Sequence, residues 1–259
     1  IIIKKLILYC ILEDKVKELT NQRKESLGNN TFIFISKEYS FTTDSLLLAE
    51  FSSPKFKEKI LEIGSGCGVI PLTWCRDDLI SHVDAVEIQE NACNLFRKSI
   101  LENKYEKKIN LVNGDIKEVY KKFNTNSYDL IVCNPPYKTF SSGLRSNSES
   151  RRIARHECSC SLNDIVRISS KLLKYGGVLS MCNRSERLCD VICCMRENGI
   201  EPKIIKIVQQ REGKPSKFFL IKGKKGAKPG ISFMPVLIVE GVDNQYSKEM
   251  RKVYGSFQN

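Results

Sequence analysis

A short apolar strand, Leu61-Glu62-Ile63, runs directly into Gly64-Ser65-Gly66-Cys67-Gly68 and then into a helical stretch that starts at Val69-Ile70. Glycines so closely spaced supply positive φ and leave the backbone bare where a ligand approaches. A strand, a glycine turn and a helix in succession commit the chain to an α/β arrangement, because the helix has to return across the sheet. The spacing is G-x-G-x-G, whereas nicotinamide enzymes carry G-x-G-x-x-G at this turn.

The remainder of the chain repeats the alternation. Strands are expected at Thr31 to Ile35, His82 to Ile88, Ile109 to Val112, Tyr128 to Cys133, Val178 to Cys182, Ile204 to Gln209, Lys217 to Ile221 and Val236 to Val239. Helices are expected within Phe41 to Phe51, Gly68 to Arg76, Asn91 to Asn103, Ile116 to Phe123, Leu162 to Leu173 (with Ser161 as N-cap) and Glu186 to Asn198, the last ending before Gly199. Residues 138 to 157 read as polar and irregular. The pattern predicts a Rossmann-like α/β fold: a mostly parallel, seven-stranded sheet with helices on both faces and an antiparallel close near the C-terminus. Residues 1–40 read as an N-terminal extension with short strands, and 41–259 as the main domain.

The 259 residues are enough for one large α/β domain. Eleven cysteines fit no C-x-x-C or disulfide spacing, and only His82 and His156 are histidines, so buried free thiols and no metal site are expected. Ile1 to Leu12 is apolar but broken by Lys4 and Lys5, too short to span a bilayer, and no small-residue cleavage site follows. The expectation is a cytoplasmic protein with no membrane partner, and a monomer by default. The net charge of +12 suits an anionic partner such as a nucleic acid, or equally a lysine-rich proteome.

Ligands in open α/β sheets bind beyond the carboxyl ends of the strands, and acids stand at three of those ends. Glu62 precedes the glycine turn, where a carboxylate suits a ligand bearing an ammonium group. Glu87-Ile88 ends the next strand, where an acid accepts from both ribose hydroxyls. Asp115-Ile116 follows the third, within reach of an adenine amino group. Each acid alone is commonly a helix N-cap; three in register point to S-adenosylmethionine.

The most specific signal is Asp129-Leu130-Ile131-Val132-Cys133-Asn134-Pro135-Pro136-Tyr137. Asn134 ends a buried strand, and the two prolines fix the backbone and remove donors. An amino group on a conjugated ring is a poor nucleophile because its lone pair is delocalised. The Asn134 side-chain oxygen and the Pro135 carbonyl can accept its two N–H bonds and favour a pyramidal nitrogen. Tyr137 can stack on the ring and fix its plane. What remains is alignment; the reading calls for no metal and no covalent cysteine. Asn134, Pro135, Pro136 and Tyr137 are the expected catalytic residues.

With these motifs the chain resembles the class I methyltransferases that carry N-P-P-Y, a group with adenine-N6, guanine-N2 and protein-glutamine methylases. It looks most similar to the bacterial tRNA1(Val) (adenine-37-N6)-methyltransferases. The closer match is carried by Tyr39 to Ala49, Ile153 to Glu157 with Ser161-Leu162, Leu172 to Gly177, Arg184 to Leu188 and Lys224 to Gly230. Two positions depart from the pattern: Thr42 where glycine is usual and Asn183 where histidine is usual. The resemblance implies methylation of adenine 37 beside the anticodon of a valine tRNA. It places Glu62, Gly64, Gly66, Gly68, Glu87, Ile88, Asp115, Ile116 and Asn134 on the cofactor, and Thr43 and Asp44 closing over it. The alternatives are N-methylation of an rRNA guanine or of a glutamine amide.

A tRNA substrate requires phosphate contacts. Two basic stretches are the candidates: Lys203 to Lys228, including Lys224, Lys225 and Lys228, and the run Lys138, Arg145, Arg151, Arg152 and Arg155 after Tyr137. His156 reads first as a structural pin and second as an RNA contact.

Overall fold

The computed structural model describes residues 22–135, 160–241 and 245–255. Pro136, Tyr137, His156 and the basic run after Tyr137 lie outside the described residues.

The described chain opens with a hairpin, β1 (Gln22–Gly28) and β2 (Thr31–Ser36), antiparallel about Asn29 and Asn30 at φ 48° and 54°. Positive φ at both central residues gives the turn whose twist matches a two-residue hairpin. Helix α1 (Thr43–Ser52) follows. The alternating core is then β3 (Ile60–Ile63), α2 (Val69–Arg76), β4 (Val83–Glu87), α3 (Glu90–Glu102), β5 (Ile109–Asn113), α4 (Ile116–Val119) and β6 (Tyr128–Cys133). After the undescribed stretch come α5 (Leu162–Leu172), β7 (Leu173–Arg184), α6 (Leu188–Glu197), β8 (Ile200–Gln209), β9 (Phe218–Lys225), β10 (Ser232–Phe233), β11 (Leu237–Ile238) and α7 (Lys248–Gly255).

The main sheet has the order β10-β8-β9-β7-β6-β3-β4-β5, with β11 also paired to β8. Strands β3 to β7 are mutually parallel, and β9 runs antiparallel to both β7 and β8. The sheet therefore counts nine strands, not seven: two of them are two-residue edge strands on β8, of which β11 falls within the expected Val236 to Val239 strand and β10 is too short to carry a sequence pattern. β7 starts at Leu173 rather than Val178, and β8 at Ile200 rather than Ile204. In each case the extension lies beyond a register irregularity, at Tyr128/Leu130 and Pro202/Ile204, where alternation breaks.

Helices cover both faces. One core gathers α1, α2, α3 and α7 with the hairpin, through Leu47, Trp74, Phe96, Met250 and Ile33. The other gathers α4, α5 and α6, through Ile116, Ile165 and Met195. Central strand β3 is buried along its length, as expected for a strand covered on both faces. Helix α5 starts with a capping box: Ser161 Oγ accepts from the Asp164 amide at 3.1 Å, and Asp164 Oδ2 accepts from the Ser161 amide at 3.1 Å. The chain winds outward from β3 to β4 and β5 and then returns to β6 on the other side, so the switch point lies between β3 and β6.

Candidate active site

The carboxyl ends of β3, β4, β5 and β6 meet around a cavity of about 260 Å³. Gly64, Gly66, Glu87, Ile88, Asp115, Ile116, Asn134 and Pro135 all line it. So do Ile63, Val86, Gln89, Gly114, Cys133, Cys160 and Ile165, which sequence reasoning did not single out. The apolar members are ordinary strand and helix residues, distinguished only by where their elements end.

The glycine turn is shaped by its neighbour β4. The Gly64 and Ser65 amides both donate to the Val86 carbonyl, at 2.8 and 3.1 Å. Gly64 and Gly66 have φ of 75° and 55°, and a Cβ at either would meet no atom within 4 Å, so bare backbone fronts open space. Gly68 differs. At φ 89° it precedes α2, and a Cβ there would fall 2.1 Å from the Phe96 ring of α3. It is absent from the cavity lining, and in the structure this glycine permits α2 to pack on α3.

Glu87 uses both carboxylate oxygens on backbone. Oε2 accepts from Gly66 N and Oε1 from Gln89 N, both at 2.8 Å. Burial lifts its carboxyl above the ordinary value, while the amides of Gln89, Gly66 and Ile88 act the other way. Asn113 Nδ2 donates to the Glu87 and Ile88 carbonyls at 2.9 and 3.2 Å and fixes the rim after β4. Asp115 is a helix cap as well as a cavity residue: Oδ1 accepts from Lys117 N at 2.9 Å.

Glu62 lies behind this rim. It is 2% exposed, and its Oε2 meets no hydrogen-bond partner among the described residues. Burial, and secondly the Glu87 charge, push its carboxyl well above the usual range. Such an orphan oxygen calls for an explanation by a ligand or a bound proton.

Asn134 follows β6 at the mouth. Its Nδ2 donates to Ser45 Oγ at 2.8 Å, and its Oδ1 accepts from Cys182 Sγ at 3.0 Å. Thr43 and Asp44, in the first turn of α1, do not line the cavity. Asp44 accepts from Thr42 Oγ1, and Ser45 of the same turn accepts from Asn134 Nδ2.

The model of the methyltransferase small-domain family matches residues 29–189. The tRNA1(Val) (adenine(37)-N6)-methyltransferase of Parabacteroides distasonis is 30% identical over 217 residues, covering 83% of this chain and 89% of that protein. The chain belongs to this methyltransferase family. The enzyme of the same description from Haemophilus influenzae is 25% identical, over 83% of this chain and 90% of its own length. Among solved structures, a predicted O-methyltransferase from Agrobacterium tumefaciens superposes with a TM-score of 0.65 at 17% identity, covering 83% of this chain and 97% of that one. Pyrococcus horikoshii TYW2 in complex with MeSAdo gives 0.55 at 13%, over 80% and 72%. At such identities these structures establish the class I methyltransferase fold of the enzyme. Among its described residues no helix is long and apolar enough to cross a membrane.

Proposed function

We propose that the enzyme methylates N6 of an adenine in tRNA, using S-adenosylmethionine, and that the target is adenine 37 beside the anticodon of a valine tRNA in the cytoplasm. The observation that carries the reading is Asn134-Pro135 at the mouth of a cavity ringed by Glu87 and Asp115, on the carboxyl side of the sheet. The named relatives of the chain act on that adenine.

The residues suit the cofactor. The partnerless Glu62 oxygen matches an ammonium group, and bare backbone at Gly64 and Gly66 admits a ligand closely. Glu87 retains acceptor capacity for ribose hydroxyls, and Asp115 for an adenine amino group; Ile88 and Ile116 offer apolar contact. When bound, S-adenosylmethionine supplies a methyl group on a sulfonium, already activated toward nucleophiles.

The protein's own work is to make a poor nucleophile competent. Asn134 Oδ1 and the Pro135 carbonyl accept the two N–H bonds of the target amino group, which draws its lone pair out of conjugation. Tyr137 stacks on the base. Holding the nitrogen in this geometry supplies much of the rate enhancement, and the extra proton on nitrogen leaves to water afterwards. A base in the anticodon loop is turned out at less cost than one in a duplex.

The test is transfer of a labelled methyl group from S-adenosylmethionine to unmodified tRNA, followed by nucleoside analysis. Label in N6-methyladenosine is expected, with loss of labelling when adenine 37 of the valine tRNA is replaced. Label in N2-methylguanosine, or in a release factor and no RNA, overturns the assignment of the target.

A further inference from the structure

The carboxamide on which the proposed reaction turns is gripped from two sides by residues outside the N-P-P-Y motif. Parallel pairing sets Cys133 opposite Met181, so Asn134 stands beside Cys182 of β7. The Cys182 thiol, 0% exposed, donates to Asn134 Oδ1 at 3.0 Å. On the other side Ser45 Oγ, from the first turn of α1, accepts from Nδ2 at 2.8 Å. Three elements that are remote in sequence thus converge on one side chain.

We propose that Ser45 and Cys182 are positioning residues for methyl transfer, which fix the Asn134 carboxamide with its oxygen available to the target amino group. The inference rests on the methyl-transfer reading given above. The terminal torsion of an asparagine is broad and nearly two-fold, and a half-turn would present N–H donors to a substrate that itself donates. The rotated form would set Oδ1 against the Ser45 hydroxyl, which can donate as well as accept, and Nδ2 against the Cys182 sulfur, which is only a weak acceptor, so the observed orientation keeps the better pair of bonds. Cys182 complements this from the oxygen side. A carbonyl oxygen has two lone pairs and a thiol is a weak donor, so the thiol orients Oδ1 with a contact weak enough to be outcompeted by a substrate N–H. Cys182 is packed into the core along β7.

Steady-state kinetics with tRNA and S-adenosylmethionine on Ser45→Ala, Cys182→Ala and Cys182→Ser, each in the wild-type and Asn134→Ala backgrounds, tests this. Both alanine variants are expected to lose about tenfold in kcat, as small misplacements near a reacting atom do, with KM for S-adenosylmethionine changed less than about twofold. Cys182→Ser, which keeps a donor, restores most of the rate. In the Asn134→Ala background neither alanine substitution lowers the residual rate further, because a residue acting through Asn134 has nothing left to position. Wild-type kcat in both alanine variants, or the same loss with and without Asn134, overturns the proposal. The Asn134 side-chain amide resonances, assigned by their disappearance in Asn134→Asp, give a substrate-free reading. They shift in both alanine variants if the contacts hold and stay in place if they do not. A wild-type enzyme that methylates no tRNA while those shifts occur would fault the substrate reading and leave the positioning pair standing.

Discussion

Glu62 carries a carboxyl at the end of a central strand, fully buried and with one oxygen unpartnered among the described residues. Burial and the neighbouring Glu87 charge both favour its protonated form. The folded pKa is thus above the unfolded one, and the native state keeps a proton that the unfolded chain releases. Stability accordingly falls as pH rises from the ordinary carboxylate range through the raised value. Glu62→Gln removes that loss. The variant should match wild type near about pH 4 and exceed it at about pH 8. The Tm gap at the higher pH should be about 2–12 °C, from about 1–3 kcal/mol for a buried unsatisfied group at about 2–4 °C per kcal/mol. S-adenosylmethionine should narrow the gap by stabilising wild type and not the variant. Scanning calorimetry at both pH values measures this; a gap indifferent to pH and ligand would remove the case for Glu62 as the ammonium partner. The acids were legible in the sequence because each ends an apolar strand. Ser45 and Cys182 were not: a serine in a helix start and a cysteine in a strand look like any others until α1 and β7 are brought beside Asn134.

At the scale of elements, apolar periodicity locates the strands and helices of the alternating core, and the capping box at Ser161 is readable from Ser161 and Asp164 alone. Polar β1 has no such period. It exists because β2 pairs with it, and the Asn29-Asn30 turn is the one local signal for it. Lys225 shows the converse limit. By composition it belongs to a basic stretch, yet its Nζ donates to Asn126 Oδ1 at 2.7 Å and to the Ser170 and Leu173 carbonyls at 2.6 and 2.9 Å. It joins β9 to the C-terminal end of α5, where helix carbonyls lack intrahelical partners and a cation complements the dipole. Lys225→Met should leave those acceptors short and cost about 1–3 kcal/mol, read as a lower urea midpoint with an unchanged slope. Affinity for S-adenosylmethionine should not move, since Lys225 does not line the cavity. A midpoint equal to wild type would show that solvent satisfies the carbonyls equally well.

Over the whole molecule, the direction of one strand divides the basic stretch that the sequence presents as a single run. β9 is antiparallel to β7, with Phe218 opposite Arg184 and Lys224 opposite Val178. Its first residue therefore lies at the carboxyl end of the parallel strands, with the cavity, and its last at the amino end. Seven steps at roughly 3.3 Å separate the two by about 23 Å. Lys214 and Lys217, exposed in the connection before β9, share an end with Asn134, whereas Lys224 and Lys228 project from the opposite end. Composition cannot reveal this, because it carries no strand direction; the structure sets Lys224 and Lys228, expected in the tRNA groove, at the end of β9 away from the cavity. Phosphates flanking a base in the cavity are expected to engage the carboxyl side. Neutralising Lys214 and Lys217 together to glutamine should raise the Kd for tRNA severalfold and lower the salt slope by roughly 1–2, the share of two phosphate contacts. The matched pair Lys224→Gln with Lys228→Gln should leave both quantities within experimental error, although it removes the same net charge. Filter binding over a range of salt concentrations separates these outcomes. An equal loss from both pairs would mean that tRNA responds to the overall field of a basic protein, and that the substrate approaches on no preferred side.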